Sequence, residues 1–216
     1  MTPTPPIILS LCDRTCVALR DWSAAGYECW AVDLQHPAGA NRGADGITRV
    51  GADVRHWLPP RREYLFAMAF PPCTDLSVSG ARWFKAKGLR RLAKAIDVFG
   101  ACVDRLEWCE CPAFAENPVS VISSHYRTPD FNFQPHEYAG YLTEPWAEAY
   151  TKLTNLWAFG GFRMPEPKAV PPLLGGLIHR MPPSEDRGDL RAVWPAGFAR
   201  AVFLANAPRQ AMETIA

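Results

Sequence analysis

The chain has 216 residues, 48% of them hydrophobic, with eight Trp, eleven Phe and a formal charge of +1. That apolar content suffices for one large folded domain and excludes global disorder, and a charge so near zero excludes a chain that is basic over its whole surface. No apolar segment approaches the ~20 residues of a membrane-spanning helix. Seven cysteines, an odd number, argue against a disulfide framework and for a reducing, cytoplasmic setting.

Met1-Thr2-Pro3-Thr4-Pro5-Pro6 lacks the basic region and apolar core of a secretory signal and reads as a disordered leader, leaving residues 7–216 as a single domain. Ile7-Ile8-Leu9-Ser10-Leu11 reads as a first strand. Asp13 or Thr15 then caps a helix expected to run to about Ala25, ended by Gly26. Glu28-Cys29-Trp30-Ala31-Val32-Asp33 reads as a second strand ending in a carboxylate, and Gly51-Ala52-Asp53-Val54 as a short turn or strand end. Tyr64-Leu65-Phe66-Ala67-Met68-Ala69-Phe70 is an apolar run of buried-strand type, and Pro71-Pro72 stop it just before Cys73. Apolar residues at Leu92, Ala95, Ile96, Phe99, Val103 and Leu106 have helical spacing over about 89–109. Pro112-Ala113-Phe114-Ala115-Glu116 reads as the next strand, again closing on a carboxylate. The pattern weakens over 124–183, where Leu153-Thr154-Asn155-Leu156-Trp157-Ala158-Phe159 is the clearest strand, and a last helix begins near Pro195. Strands alternating with helices predict an α/β fold with a mostly parallel sheet and helices on both faces.

In such a sheet ligands bind at the carboxyl ends of the strands. Cys12-Asp13, Asp33, Cys73 and Glu116 all fall at expected strand ends. A thiol at a rigid strand end is placed to act as a nucleophile, since little entropy is lost in aiming it. Asp33 stands where nucleotide-binding folds place a carboxylate for ribose hydroxyls. The Cys12/Cys16 and Cys109/Cys111 spacings are not the paired C-x-x-C of structural zinc sites, so no metal is expected. Downstream of Cys73, Arg82-Trp83-Phe84-Lys85-Ala86-Lys87-Gly88-Leu89-Arg90-Arg91 interleaves basic and aromatic residues.

Taken in order, these elements resemble the DNA cytosine-C5 methyltransferases, over about 8–206. The most specific parts are Pro72-Cys73 with Leu76-Ser77-Val78-Ser79-Gly80-Ala81-Arg82, and then Glu116-Asn117-Pro118. The resemblance implies a Rossmann-like class I fold that uses S-adenosylmethionine, with Cys73 as nucleophile and Glu116 as acid. It implies a cofactor pocket of Leu11, Cys12, Asp13, Thr15, Asp33, Leu34, Asp53, Val54 and Pro71. Pro72, Ser77, Arg82, Asn117, Pro118, Lys152 and Thr154 would lie against the substrate, with Asn117 fixing the loop. Thr151-Lys152-Leu153-Thr154-Asn155-Leu156-Trp157 resembles the strand that helps hold the target base. Arg187-Gly188-Asp189-Leu190-Arg191 with Pro195-Ala196-Gly197-Phe198-Ala199 resembles the closing motif that returns to the cofactor pocket. The expected partner is DNA, duplex with a flipped cytosine or single-stranded, and residues 77–91 are the segment expected to close over it, with Arg82, Lys85, Lys87, Arg90 and Arg91 on phosphates.

Three departures accompany the resemblance. Cys16 stands where the family's first motif has glycine. Lys152 and Thr154 stand where arginines contact the base, and lysine lacks the bidentate fork. About thirty residues separate the Trp157 strand from the closing motif, leaving no room for the family's target-recognition domain. The chain is therefore expected to be a compact, phage-type enzyme of short sequence context. A free cytosine nucleotide or RNA as acceptor, a modified one-carbon group, and a catalytically weak binding protein of the same fold remain alternatives.

Overall fold

All five residues of β1 (Ile7–Leu11) are buried, and the strand lies near the middle of the sheet. Successive side chains point to opposite faces. Ile8 joins Trp22, Phe66, Phe114 and Phe198 in one core, whereas Ile7, Leu9 and Leu11 join Ala67, Phe99, Val103 and Trp157 in the other. Two separate cores from one strand require covering layers on both faces. The computed structural model describes residues 5–176 and 193–208 of the chain, so the expected leader and the 187–191 stretch lie largely or wholly outside it.

The other strands are β2 (Glu28–Arg42), β3 (Ile47–Gly51), β4 (Tyr64–Ala69), β5 (Ala113–Pro118), β6 (Phe131–Phe133) and β7 (Thr154–Phe159). They form one sheet in the order β3-β2-β1-β4-β5-β7-β6. β1 pairs parallel with β2 and with β4, and β4 pairs parallel with β5. β7 runs antiparallel to both β5 and β6. The fold is thus mixed α/β with a mostly parallel seven-stranded sheet. Residues 17–24, a 3-10 turn at Val17–Leu19 followed by α1 (Arg20–Ala24), cover the first face together with α5 (Ala196–Asn206). The second face is covered by α3 (Leu89–Trp108), which follows the short α2 (Phe84–Lys87); α4 (Ile122–His125) lies beyond β5.

Several elements depart from the sequence expectation for identifiable reasons. The helix expected from Asp13 or Thr15 starts later, because the Asp13 carboxylate accepts the Cys16 amide at 2.7 Å and Cys16 is left-handed, φ 56°. A left-handed residue cannot sit inside a right-handed helix. β2 does not stop at Asp33. Its parallel ladder does, with Asp33 opposite Gly51, but past Ala38 the chain doubles back along β3, pairing Ala40 with Val50, Asn41 with Arg49 and Arg42 with Thr48. That is hairpin register, closed by a turn whose Gly46 N–H donates to the Gly43 carbonyl at 3.0 Å. β7 starts one residue later than expected, and β5 runs two residues past Glu116. The N-terminus of α5 is capped by Glu148, whose carboxylate accepts the amides of Ala196 at 2.6 Å and Gly197 at 2.9 Å, a favourable place for negative charge.

Candidate active site

The strand order reverses between β1 and β4, the position at which open α/β sheets form a crevice beyond the carboxyl ends of their strands. There the Phe70 amide donates to the Leu11 carbonyl at 2.9 Å, which ties the exit of β4 to the exit of β1. Pro71 and Pro72 follow, and the Cys73 carbonyl then accepts the amides of Leu76 at 3.0 Å and Ser77 at 2.8 Å in a tight turn. Cys73 and Cys12 are the two half-buried cysteines, and the other five are buried. Burial pushes the thiols of Cys16, Cys29, Cys109 and Cys111 up to about 12, which leaves them inert at neutral pH. Cys12 Sγ rests 3.7 Å from Cys102 Sγ.

Glu116 lies one residue beyond the Ala69–Ala115 pair that ends the β4–β5 ladder. It is buried, and its Oε1 has no partner among the described residues. Burial raises its carboxyl above the ordinary value near 4.5, while the Lys152 ammonium pulls in the opposite direction. Asn117 is fully buried and donates from Nδ2 to the Pro71 carbonyl at 3.0 Å. The two loops are joined again farther on, where the Val78 amide donates to Val119 and the Val121 amide to Leu76, each at 3.0 Å. The structure therefore brings Cys73, Glu116, Asn117 and Lys152 to one end of the sheet.

The other expected contact residues are distributed as follows. Leu11 is buried, and Cys12, like Cys16, is left-handed, φ 54°. Asp13 is buried and accepts from Ser10 Oγ at 2.8 Å, Thr15 Oγ1 at 3.3 Å and the Cys16 amide. Burial raises its carboxyl despite these donors. Asp33 Oδ1 accepts the Gln35 amide at 2.8 Å, and Leu34 is 69% exposed. Asp53 faces Arg55, whose Nε lies 3.0 Å from Oδ1 and whose guanidinium holds the carboxyl down at about 2. Val54 is buried. Pro72 is exposed and Pro118 half-buried, opposite Thr154. Thr154 is buried, with its hydroxyl donating to the Lys152 carbonyl at 3.1 Å. Ser77 Oγ pairs with Ser79 Oγ at 2.9 Å, and the Arg82 guanidinium lies 5.2 Å over the Trp83 ring. Of the basic residues expected on phosphates, Lys87 and Arg91 both face Asp75, at 2.8 and 3.2 Å.

Three residues near the site carried no signal in the sequence. His36 Nε2 lies 3.0 Å from the Asp13 carbonyl, brought there by the unexpected extension of β2. Asp75 anchors the start of the basic segment. Trp194 packs against Phe70, with ring centroids 4.6 Å apart, and stacks on Phe114 at 5.7 Å, so the chain entering α5 crosses beside the exit of β4 and the first half of β5. Among the described residues no group of acidic, His and Cys side chains is arranged to hold a metal ion, and no helix is long and apolar enough to cross a membrane.

No protein-family model matches the chain, and no curated protein does. Among solved structures, one similar chain is the glycopeptide N-methyltransferase MtfA, with 12% identity over 61% of this chain and a TM-score of 0.29. The overlap takes in 53% of that enzyme, about half its length. So slight a likeness says nothing about the chemistry of the site.

Proposed function

We propose that the protein is a compact cytosine-C5 methyltransferase acting on DNA of short sequence context, with Cys73 as nucleophile and Glu116 as proton donor. One observation carries the reading. A half-buried thiol follows β4 and a buried carboxyl with a raised pKa stands on β5 just past the end of the β4–β5 ladder, and the Asn117–Pro71 hydrogen bond joins the two segments. The strand order, with an antiparallel β7 next to β5, also suits the class I methyltransferase sheet that the sequence resembles.

The residues present fit S-adenosylmethionine. Left-handed Cys12 and Cys16 bend the loop after β1 as glycines would, and Asp33 closes the parallel ladder with one carboxylate oxygen engaged locally. The 12–16 backbone, Asp33 and exposed Leu34 would hold the cofactor, whereas Asp53 is committed to Arg55. Bound there, the cofactor supplies an electrophilic methyl group. Carbon 5 of cytosine is too electron-poor to take that methyl group unaided. Cys73, having lost its proton to water, adds to carbon 6 while Glu116 passes its proton to ring nitrogen 3, leaving carbon 5 as the nucleophilic end of an enamine. After methylation the carbon 5 proton leaves to water, the thiolate departs and Glu116 recovers its proton. A carboxyl with an ordinary pKa would be ionised at neutral pH and unable to donate, so the burial of Glu116 is what suits it to this role.

The test is a covalent trap. With S-adenosylmethionine and DNA carrying 5-fluorocytosine, which cannot release its carbon 5 substituent, the wild type is expected to form a denaturant-resistant adduct and Cys73→Ala none. Absence of an adduct on both duplex and single-stranded DNA, combined with methyl transfer to free cytidine monophosphate or RNA, would replace DNA as the acceptor. Absence of any transfer or cofactor binding would leave a binding protein of this fold.

A further inference from the structure

Residues 76–96 contain six basic side chains and no acidic one. They run through α2, turn at Gly88 (φ 80°) and enter α3. Asp75, at the head of the segment, is already matched by Lys87 and Arg91, so its carboxylate does not repel an approaching anion. Among these cations Trp83 and Leu89 face solvent, at 55% and 84% exposure, as does Val78 nearer the start of the stretch. A cavity of about 300 Å³ opens beside Leu89, lined by Phe84, Leu89 and Leu92, with Lys85, Lys87, Arg91 and the matched Asp75 as its charged members. That volume is at the lower end of those that hold small organic groups.

An exposed indole and an apolar pocket set among cations call for a ligand that is anionic and also presents flat apolar faces. A duplex offers phosphates and base edges, but its base faces are stacked away. Unpaired nucleotides offer both, and grooves that bind single strands combine basic residues with aromatic stacking surfaces. We propose that this face binds single-stranded DNA flanking the target cytosine. One base stacks on Trp83, releasing the Arg82 guanidinium that now covers the ring to a phosphate. A neighbouring base enters the pocket formed by Phe84, Leu89 and Leu92, and Lys85 and Arg90 take the adjoining phosphates. The inference rests on the cytosine-methylation reading for what lies next to the bound strand, but not for the binding itself.

The test uses a probe without cytosine, so it is independent of Cys73 chemistry. Fluorescein-labelled oligothymidylate and the matching thymidylate–adenylate duplex are titrated by anisotropy with the full-length protein. Wild type is expected to bind the single strand more tightly than the duplex. Trp83→Ala should weaken single-strand binding by roughly 5- to 150-fold, and Trp83→Phe by no more than a few-fold, the cost of losing one stacked base being the guide. Leu89→Asp, which places an acid at the pocket mouth, should weaken it comparably. Both sites are exposed, and circular dichroism checks that the variants fold. Duplex binding as tight as single-strand binding, unchanged affinity in Trp83→Ala and Leu89→Asp, or tighter binding of oligouridylate than of oligothymidylate would overturn the proposal. Single-strand binding that persists when the 5-fluorocytosine trap fails would sink the methylation reading alone.

Discussion

Glu116→Gln removes an ionisation while keeping the side chain's shape, and its effect can be worked out from burial. Glu116 is 8% exposed, and its carboxyl is raised above the ordinary value near 4.5. Between that value and the raised one, the unfolded chain has released a proton that the folded chain still holds. Folding stability from this group is therefore fully present below about pH 4.5 and falls as pH rises, by at most ~1.4 kcal/mol per pH unit, until the folded carboxyl itself ionises. For a chain of this length that slope corresponds to roughly 3–6 °C of melting temperature per pH unit. Glutamine has no such slope. Asp13 and Glu148 are raised by burial as well, but they are present in both proteins and cancel in the difference. The assay is urea denaturation of wild type and Glu116→Gln at each pH from 4.5 to 8. The variant is expected to gain on the wild type as pH rises, and to lose about 10²- to 10⁴-fold in methyl transfer, the usual contribution of a general acid. Parallel stability curves across that range would refute the burial argument and with it the assignment of Glu116 as a proton donor at neutral pH.

Two further substitutions test the framework. Asn117→Ala deletes the donor to the Pro71 carbonyl and should cost about 1–3 kcal/mol in urea unfolding, the penalty for orphaning a buried partner, and it should slow 5-fluorocytosine adduct formation. An unchanged adduct rate would separate the Asn117 bond from the aim of Cys73. At the tip after β7, Gly160 has φ +57° and a Cβ there would collide with the Cys111 carbonyl oxygen, whereas Gly161 has φ +82° with nothing within 4 Å. Gly160→Ala should therefore lose roughly 2–5 kcal/mol from backbone strain plus overlap, and Gly161→Ala only about 1–2 kcal/mol from strain. Equal losses in thermal melts would contradict this account.

Strands β1, β4, β5 and β7 and the long α3 were legible in the sequence because each puts apolar residues on a core at a period of 2 or 3.6, or in one unbroken run. The same logic placed Cys73 after β4, but it ended β5 at Glu116, whereas the strand continues to Pro118 by pairing with β7. The second half of β2 was not legible. Leu34-Gln35-His36-Pro37-Ala38-Gly39-Ala40-Asn41-Arg42 lies almost entirely at the surface, so no core-facing alternation marks it, and its pairing with β3 is made by backbone alone. β6 escaped because three residues are too few to show a period. The engagement of Lys87 and Arg91 by Asp75 depends on where the chain returns in space, whereas Asp53 and Arg55 stand two residues apart and pair locally. A string of charges does not say which of them are already matched.

The backbone bonds that join residues 76–78 to 119–121 stitch the loop after β4 to the segment after β5. Cys73 and Glu116 both lie on the strand side of that seam. On the function proposed above, a rearrangement confined to the stretch between Ser79 and Gly88 would leave those bonds, and with them the spacing of Cys73 and Glu116, unchanged. Changes of length or charge in that stretch would then retune what the crevice admits and leave the alignment of Cys73 and Glu116 untouched.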